Sequence, residues 1–525
     1  MDTNIYWGDM HAQFQPSEHY GEGWDTYVEN AFIEAREYVD FFPFVYYPAH
    51  MYRTPEGLRV ETVGWRDYYA PDWQKIRALV RKYHEPGELV TFLGYEWTGD
   101  RTKWGDHNVF YFDEDNPLDL SMELPDLYDN LRERNGLAIP HHTGYMVGNR
   151  GKDWDCWDAE ISPFGEIFSH HGSSEGCNTP FTMSRNGQMA PRVSAGSIQA
   201  GLARGYRLGI MASNDYAGGF VARWGTGLMA ACAQELTRES LWEAFQARRV
   251  YGVTGDRIRV DYRANDTFMG GVITGGGPVT LRANVTGTQA LDRIEVIRNN
   301  RVAYTHCHNG TWDIPDSGTV RVKLPFEVGW GPGGAYVHSS HEAYGLEVGP
   351  KDWSGRLEVS GGTLVSTEGC FTTGGNRIRR TADNACEFDL RTEERGFDAT
   401  GNCQQTVVFE IEGDCSAEVT WEIDGHRHTQ TLCELMNESR VYPDIESCEA
   451  MIQKLYGLSA DDIENPDVLY HNAYKVKQHK AIPQAGYEAA LEWTDEPGEG
   501  RNWYYLRISQ LNNQYAWTSP VWVDN

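Results

Sequence analysis

The sequence predicts an α/β fold over its first half, a barrel of roughly seven strand–helix units, followed by a β-rich, sandwich-like half. Three observations predict it. Up to about residue 260 short β-rich runs alternate with amphipathic helical ones. From residue 259 onward the texture changes to alternating segments with Gly- and Asn-rich turns. Histidines and carboxylates also recur directly after one expected strand after another.

Residues 4–7 read as the first strand, and Val28, Ala31, Phe32 and Ala35 recur at helical spacing before a second strand over 40–47. Trp73, Ile76, Val80 and Tyr83 make the next helical stripe, ahead of a strand over 89–95. A helix over 125–134, stopped by Gly136, leads into a strand over 137–140. Strands follow over 165–169 and 208–213, then a helix over 238–249 and a strand over 250–254. In the second half, 279–286, 293–298, 406–411 and 504–510 read as strands.

At 525 residues the chain exceeds what one core usually supports. Two domains are expected, 1–260 and 261–525, with a helical or irregular insertion near 447–474. The 46 Lys and Arg against 76 Asp and Glu leave a formal charge of −30. A field of that sign repels phosphate backbones and anionic membranes, which disfavours nucleic acid and membrane partners. A small anionic substrate would need local cations, which metal ions can supply. No run approaches the length of a membrane span, residues 1–7 lack the blocks of a signal peptide, and the ten cysteines include no C-x-x-C pair. A cytoplasmic protein with reduced thiols is expected.

Asp9 and His11 follow the first strand, His50 the second, Glu96 the third, His141 and His142 the fourth, His170 and His171 the fifth, and Asp215 the sixth. In a parallel α/β barrel these strand ends converge on one mouth, so residues distant in sequence meet there. Such a spread of nitrogen and oxygen donors is what a multinuclear metal site requires. Asp9 is a candidate proton acceptor, with a turn cap as the structural alternative. His142 and His171 are candidates to protonate a leaving group or orient substrate. Arg257 is a candidate to grip an anion in a fork with Arg249, the alternative being a pairing with Asp256 or another carboxylate. Trp65, Tyr68, Tyr69, Trp97 and Trp104 would rim the pocket.

The stretches Trp7-Gly8-Asp9-Met10-His11, Gly94-Tyr95-Glu96-Trp97-Thr98, Ile139-Pro140-His141-His142-Thr143 and Thr254-Gly255-Asp256-Arg257-Ile258 resemble the PHP (polymerase and histidinol phosphatase) superfamily. Within it they are similar to a poorly characterised branch catalogued as domain of unknown function 3604. The resemblance implies a distorted seven-stranded barrel holding up to three divalent metals, most often used for phosphoester hydrolysis. It implies a first motif of His11, Gln13 and His19, a second-strand ligand at His50, and a bridging glutamate at Glu96. Two further ligands would be His107 and His141, and the closing position Asp215. Gln13 and Ala217 stand where the family carries histidines.

From that pattern two divalent ions per chain, Mn, Zn or Fe, are expected. One site would use His11, Gln13, Glu96 and Asp215. A tighter one would use Glu96, His107 and His141. The third, at His19 and His50, would lack a partner at Ala217. Water held between two cations has its pKa lowered toward neutrality, so hydroxide on the metals is the expected nucleophile. The leading reading is therefore a metal-dependent hydrolase of a small-molecule phosphoester. One alternative keeps the metals and cleaves a carboxylic ester, amide or other bond. A second is a non-catalytic carbohydrate-binding or interaction protein.

Overall fold

The computed structural model describes all residues except 1–2, 18–20, 49, 55–56, 62–65, 178, 182–190, 216–219, 309–311, 331–349, 394–403, 463 and 465–472. The chain divides into two compact units. Unit 1 comprises 1–286, 292–309 and 489–525, and unit 2 comprises 287–291 and 310–488. Residues 261–286, 292–309 and 489–525, expected with the second half, thus fall in unit 1.

Unit 1 begins as a mixed α/β domain. Its order is β1 (Asn4–Gly8), α1 (Trp24–Tyr38), β2 (Phe41–Tyr46), α2 (Arg66–Tyr83), β3 (Val90–Trp97), β4 (His107–Tyr111), α3 (Leu124–Glu133), β5 (Gly136–Pro140), β6 (Phe164–Ser169), α4 (Ile198–Ala203), β7 (Gly209–Ala212), β8 (Leu228–Ala233), α5 (Arg238–Gln246) and β9 (Val250–Val253). Strands β2 and β3 are buried along their whole length, which explains why they read as continuous apolar runs rather than alternating ones. Helix α1 buries the stripe Val28, Ala31, Phe32 and Ala35. Helix α3 buries Leu124, Leu127 and Leu131, and the chain leaves it through Asn135 at φ 49°, a conformation Asn tolerates well. Thr237 caps α5 by accepting from the Ser240 N–H at 3.2 Å.

Strands β9-β8-β1-β2-β3-β4-β5 are neighbours in one sheet, and β6 and β7 pair in another. The expectation of seven parallel strands is corrected here. Parallel pairing holds for β1 with β2, β2 with β3, and β6 with β7. Strand β4 runs antiparallel to β3 and β5, and β8 runs antiparallel to β1 and β9. Neither β4 nor β8 was expected as a strand. Only a short loop joins β3 to β4, so β4 reverses direction.

The sheet continues into strands from the far end of the sequence. These are β10 (Arg501–Gln510), β11 (Tyr515–Thr518) and β12 (Val521–Asp524). Strand β11 pairs antiparallel with β9, Tyr251 opposite Thr518 and Gly252 opposite Trp517. Among the described residues two cores hold unit 1. Phe41, Phe92, Phe110, Ile139, Met211 and Val250 belong to one. Trp154, Ile167, Ile210, Trp503, Trp517 and Trp522 belong to the other, so the late strands are sealed by aromatic burial as well as by hydrogen bonds.

Unit 2 is β-rich. Its long strands Thr319–Trp330, Lys351–Cys370 and Gln404–Ile423 pair antiparallel, with Ile411 opposite both Val322 and Leu364. The segment 447–474 overlaps the helix Ile445–Tyr456, capped by Asp444 onto the Ser447 N–H at 3.1 Å and closed by Gly457 at φ 69°. Among the described residues no helix is long and apolar enough to cross a membrane.

Candidate metal centre

The chain leaves β1 at Gly8 and turns on Asp9, a fully buried carboxylate. It accepts the backbone N–H groups of His11 at 3.1 Å, Asn214 at 3.2 Å and Ala222 at 2.8 Å. Burial holds the Asp9 carboxyl above its ordinary range, and those three donors oppose the shift. Asp9 thus acts as a staple between the first strand's exit and the segment after β7.

His11 follows. Its Nδ1 meets Glu166 Oε2 at 2.9 Å, and Glu166 also accepts from the Ser213 hydroxyl at 2.7 Å and the His142 N–H at 3.3 Å. A carboxylate on Nδ1 selects the tautomer with its proton there and leaves Nε2 as the donor atom. That Nε2 lies 3.3 Å from Asp215 Oδ1 and 3.7 Å from Glu96 Oε2. The Asp215 N–H donates to the His11 carbonyl at 2.8 Å with Asp215 at φ 53°, so the two ligand-bearing turns brace each other.

Glu96, next to last in β3, has its Oε1 3.5 Å from His141 Nε2, while the Gln13 amide donates to Oε2. His171 lies with Nε2 3.1 Å from Asp215 Oδ2, and its Nδ1 meets the Tyr145 hydroxyl at 2.9 Å. His142 approaches Asp106 Oδ2 at 3.5 Å.

The electrostatics follow from burial set against close partners. Burial alone would depress His11, but Asp215 and Glu166 outweigh it and hold the imidazole well above its ordinary value. Burial would raise Glu96 and Asp215; the neighbouring histidines instead hold both carboxyls well below the usual range. Burial, reinforced by His141 and Arg150, keeps His142 well below its ordinary value and hence neutral, the form that ligates.

Among the described residues four buried groups have ligand atoms within 4.8 Å of one another. They are His11–Glu96–His141, Asp106–His141–His142, His142–His171–Asp215 and His11–Glu166–Asp215. Within them His11 Nε2, Glu96 Oε1, both nitrogens of His141, His142 Nδ1 and Asp215 Oδ2 are buried with no hydrogen-bond partner. Orphaned buried polar atoms are costly, and several converging on one spot fit divalent-cation binding.

Of the residues expected from sequence, the fold brings together His11, Glu96, His141, His142, His171 and Asp215. His107 is not in this set. It opens the antiparallel strand β4, and its Nε2 meets Lys152 Nζ at 3.2 Å. Burial and Lys152 hold that imidazole well below its ordinary value, and burial pulls Lys152 itself down to about 7. The Arg257 guanidinium donates to the Tyr38 carbonyl and lies beside Asp40. His19, Ala217, Trp65 and the side chains of His50 and Tyr68 lie outside the described residues. Tyr69 and Trp97 are core residues, the Trp97 indole donating to the Ser121 carbonyl at 2.6 Å.

Sequence reasoning missed Glu166, Asp106, Arg101 and Arg150. A lone glutamate inside the apolar run of β6 was the available signal for Glu166. Asp106 stood in the same short motif as His107.

The family described as "Protein of unknown function (DUF3604)" matches residues 33–151 and 195–277. The match includes Glu96, Asp106, His141, His142 and Asp215, and leaves His11, Glu166 and His171 outside it. An uncharacterized protein of Chlamydia pneumoniae is 26% identical over 325 residues, 58% of this chain and 48% of that protein. Another, of Chlamydia muridarum, is 23% identical over 329 residues, 58% of this chain and 49% of that protein. The chain spans about half the length of the curated relatives it matches. A crystal structure from Bacteroides vulgatus, of a two-domain protein containing a predicted PHP-like metal-dependent phosphoesterase, aligns at 11% identity with a TM-score of 0.31. That alignment covers 82% of this chain and 96% of the other.

Proposed function

We propose that unit 1 is a metal-dependent hydrolase acting on the phosphoester of a small molecule. The observation that carries the reading is the set of orphaned donor atoms on His11, Glu96, His141, His142 and Asp215, all buried and convergent. His11, Glu96 and His141 would hold one divalent ion, and His142, His171 and Asp215 a second. Mixed imidazole and carboxylate donors suit Mn, Zn or Fe better than the all-oxygen preference of Ca or Mg. In this reading strands β1 to β9 form the distorted barrel that the resemblance implies, and the phosphoester assignment rests on that resemblance.

Bound there, divalent ions supply Lewis acidity that activates water and neutralises charge developing on the leaving oxygen. The remaining work falls to the protein. Glu166 fixes the His11 tautomer, Tyr145 orients His171 toward Asp215, and Glu96 and Asp215 stay ionised at neutral pH because adjacent histidines hold them low.

The test is to strip the full chain with chelator, restore Mn, Zn or Fe separately, and assay aryl phosphomonoester, phosphodiester, carboxylic ester and anilide substrates. Phosphoester turnover that returns with metal is expected. Metal-restored turnover of the ester or anilide alone would overturn the phosphoester assignment, and a chain that retains no metal would overturn the whole reading.

A further inference from the structure

One of the four donor groups, Asp106–His141–His142, has its carboxylate hydrogen-bonded by two arginines. Asp106 is buried, and Arg101 donates to it through Nε to Oδ1 at 2.9 Å and Nη2 to Oδ2 at 3.1 Å. Arg150 donates Nε to Oδ2 at 2.6 Å. Both guanidiniums then close on the neighbouring carboxylate, with Arg101 Nη2 3.6 Å and Arg150 Nη2 3.8 Å from Glu96 Oε1. Arg150 Nη2 is also 3.3 Å from His142 Nε2. The two arginine side chains are 12% and 16% exposed, so their charges are little screened by solvent.

Arginine does not lose its proton in proteins, so this pocket permanently holds two positive charges, the charge of one divalent ion. An ion placed among Asp106, His141 and His142 would meet both guanidiniums in a medium of low dielectric, and Asp106 would have to give up its bonds to them. The forked geometry, with Arg101 spanning both carboxylate oxygens, is the arrangement in which arginine binds a carboxylate most firmly.

We propose that the Arg101–Asp106–Arg150 bridge stands in place of a further divalent cation, so that Glu96 joins a metal position on its His11 side to a guanidinium pair on the other. This inference rests on the reading of unit 1 as a metal protein and deepens it. Among the described residues metal is confined to the His11–Glu96–His141 and His142–His171–Asp215 groups, and the Asp106–His141–His142 group is a fixed, metal-free cation. The resemblance implies for Glu96 a place between two metals; here the second partner is supplied by the chain itself. The guanidinium pair also stays when metal is removed, so the Glu96 carboxylate is never left without a cationic neighbour.

The test is metal content per chain by elemental analysis, after saturation with Mn or Zn and dialysis against metal-free buffer. Asp106→Asn keeps the shape and removes the charge. It is expected to retain the same number of equivalents as the wild type, because Asp106 holds arginines and not metal. The double variant Arg101→Gln/Arg150→Gln exposes Asp106 as a donor and is expected to gain one equivalent. Loss of one equivalent in Asp106→Asn would overturn the inference, as would an unchanged count in a folded double variant. If the double variant does not fold, Asp106→Asn decides alone. A wild type retaining no metal would overturn this inference together with the reading beneath it, whereas loss confined to Asp106→Asn overturns this one only.

Discussion

Replacing Asp9 with alanine should destabilise unit 1 before it affects any chemistry. The carboxylate accepts three backbone N–H groups, from His11, Asn214 and Ala222, and is fully buried. Hydrogen bonds to a charged acceptor contribute ~1.5–3 kcal/mol each, and a buried donor left unmade costs a comparable amount. Three such bonds give a gross loss of about 5–9 kcal/mol. The burial that raises the Asp9 carboxyl shows that holding the ion is itself costly, so its removal offsets part of that loss. A net destabilisation of about 3–5 kcal/mol is expected, a large share of the ~5–15 kcal/mol that usually holds a domain together. Asp9→Asn keeps an oxygen for two donors but turns an N–H against the third, and should cost about 1–3 kcal/mol. Urea denaturation followed by tryptophan fluorescence, with amide hydrogen exchange at His11, Asn214 and Ala222, measures both variants. Wild-type midpoint and protection in Asp9→Ala, with turnover alone lost, would refute the staple and restore a catalytic role.

Three further outcomes are expected. Glu96→Ala should strip most of the bound metal and reduce turnover by at least the ~100-fold typical of losing a key electrostatic group, read by elemental analysis and assay on the same preparation. A fragment ending at Arg263 should be insoluble or unfolded, because it lacks the strand that pairs with Val250–Val253 and the tryptophans that seal it; a soluble, cooperatively melting fragment would contradict this. For Lys152 the unfolded chain holds its proton to near the ordinary 10.5 and the folded chain only to about 7, so unfolding takes up a proton between those values and stability rises with pH across that window. Between pH 7 and 9 the wild type should therefore gain about 2–3 kcal/mol more stability than Lys152→Met, measured as denaturant midpoints at each pH.

Much of the site was legible because ionisable residues directly follow apolar runs. His11 after β1, Glu96 near the end of β3, His141 and His142 after β5 and Asp215 after β7 could be placed at one mouth without coordinates. What failed was direction and parity. An apolar run does not state which way its strand runs, and β4 begins opposite Trp97 at the end of β3. Since successive strand residues point to opposite faces, the face that His107 takes depended on a pairing register invisible in the local sequence. Glu166 was hidden for a related reason, since a charge inside a strand reads equally well as a solvent-facing position. The pairing of the late strands with β9 was not legible because their bonds are non-local. The Thr254 hydroxyl donates to the Gln514 side chain at 2.7 Å across 260 positions, and nothing near either residue announces the other.

That long-range pairing has a consequence for how the chain is made. Strand β9 leaves the ribosome well before its partner β11, because residues 310–488 of unit 2 are synthesised in between. At ~5–20 residues per second the roughly 260 residues between them take about 13–50 s. Throughout it, the nascent first unit presents the edge of Val250–Val253 without β11, together with an apolar surface that Trp517 and Trp522 will later cover. An open edge of that kind invites pairing with another chain. The second unit, contiguous but for a few residues, can complete itself during the wait. Translation speed through residues 310–488, and the chaperones present during it, should therefore govern the yield of the first unit more than that of the second.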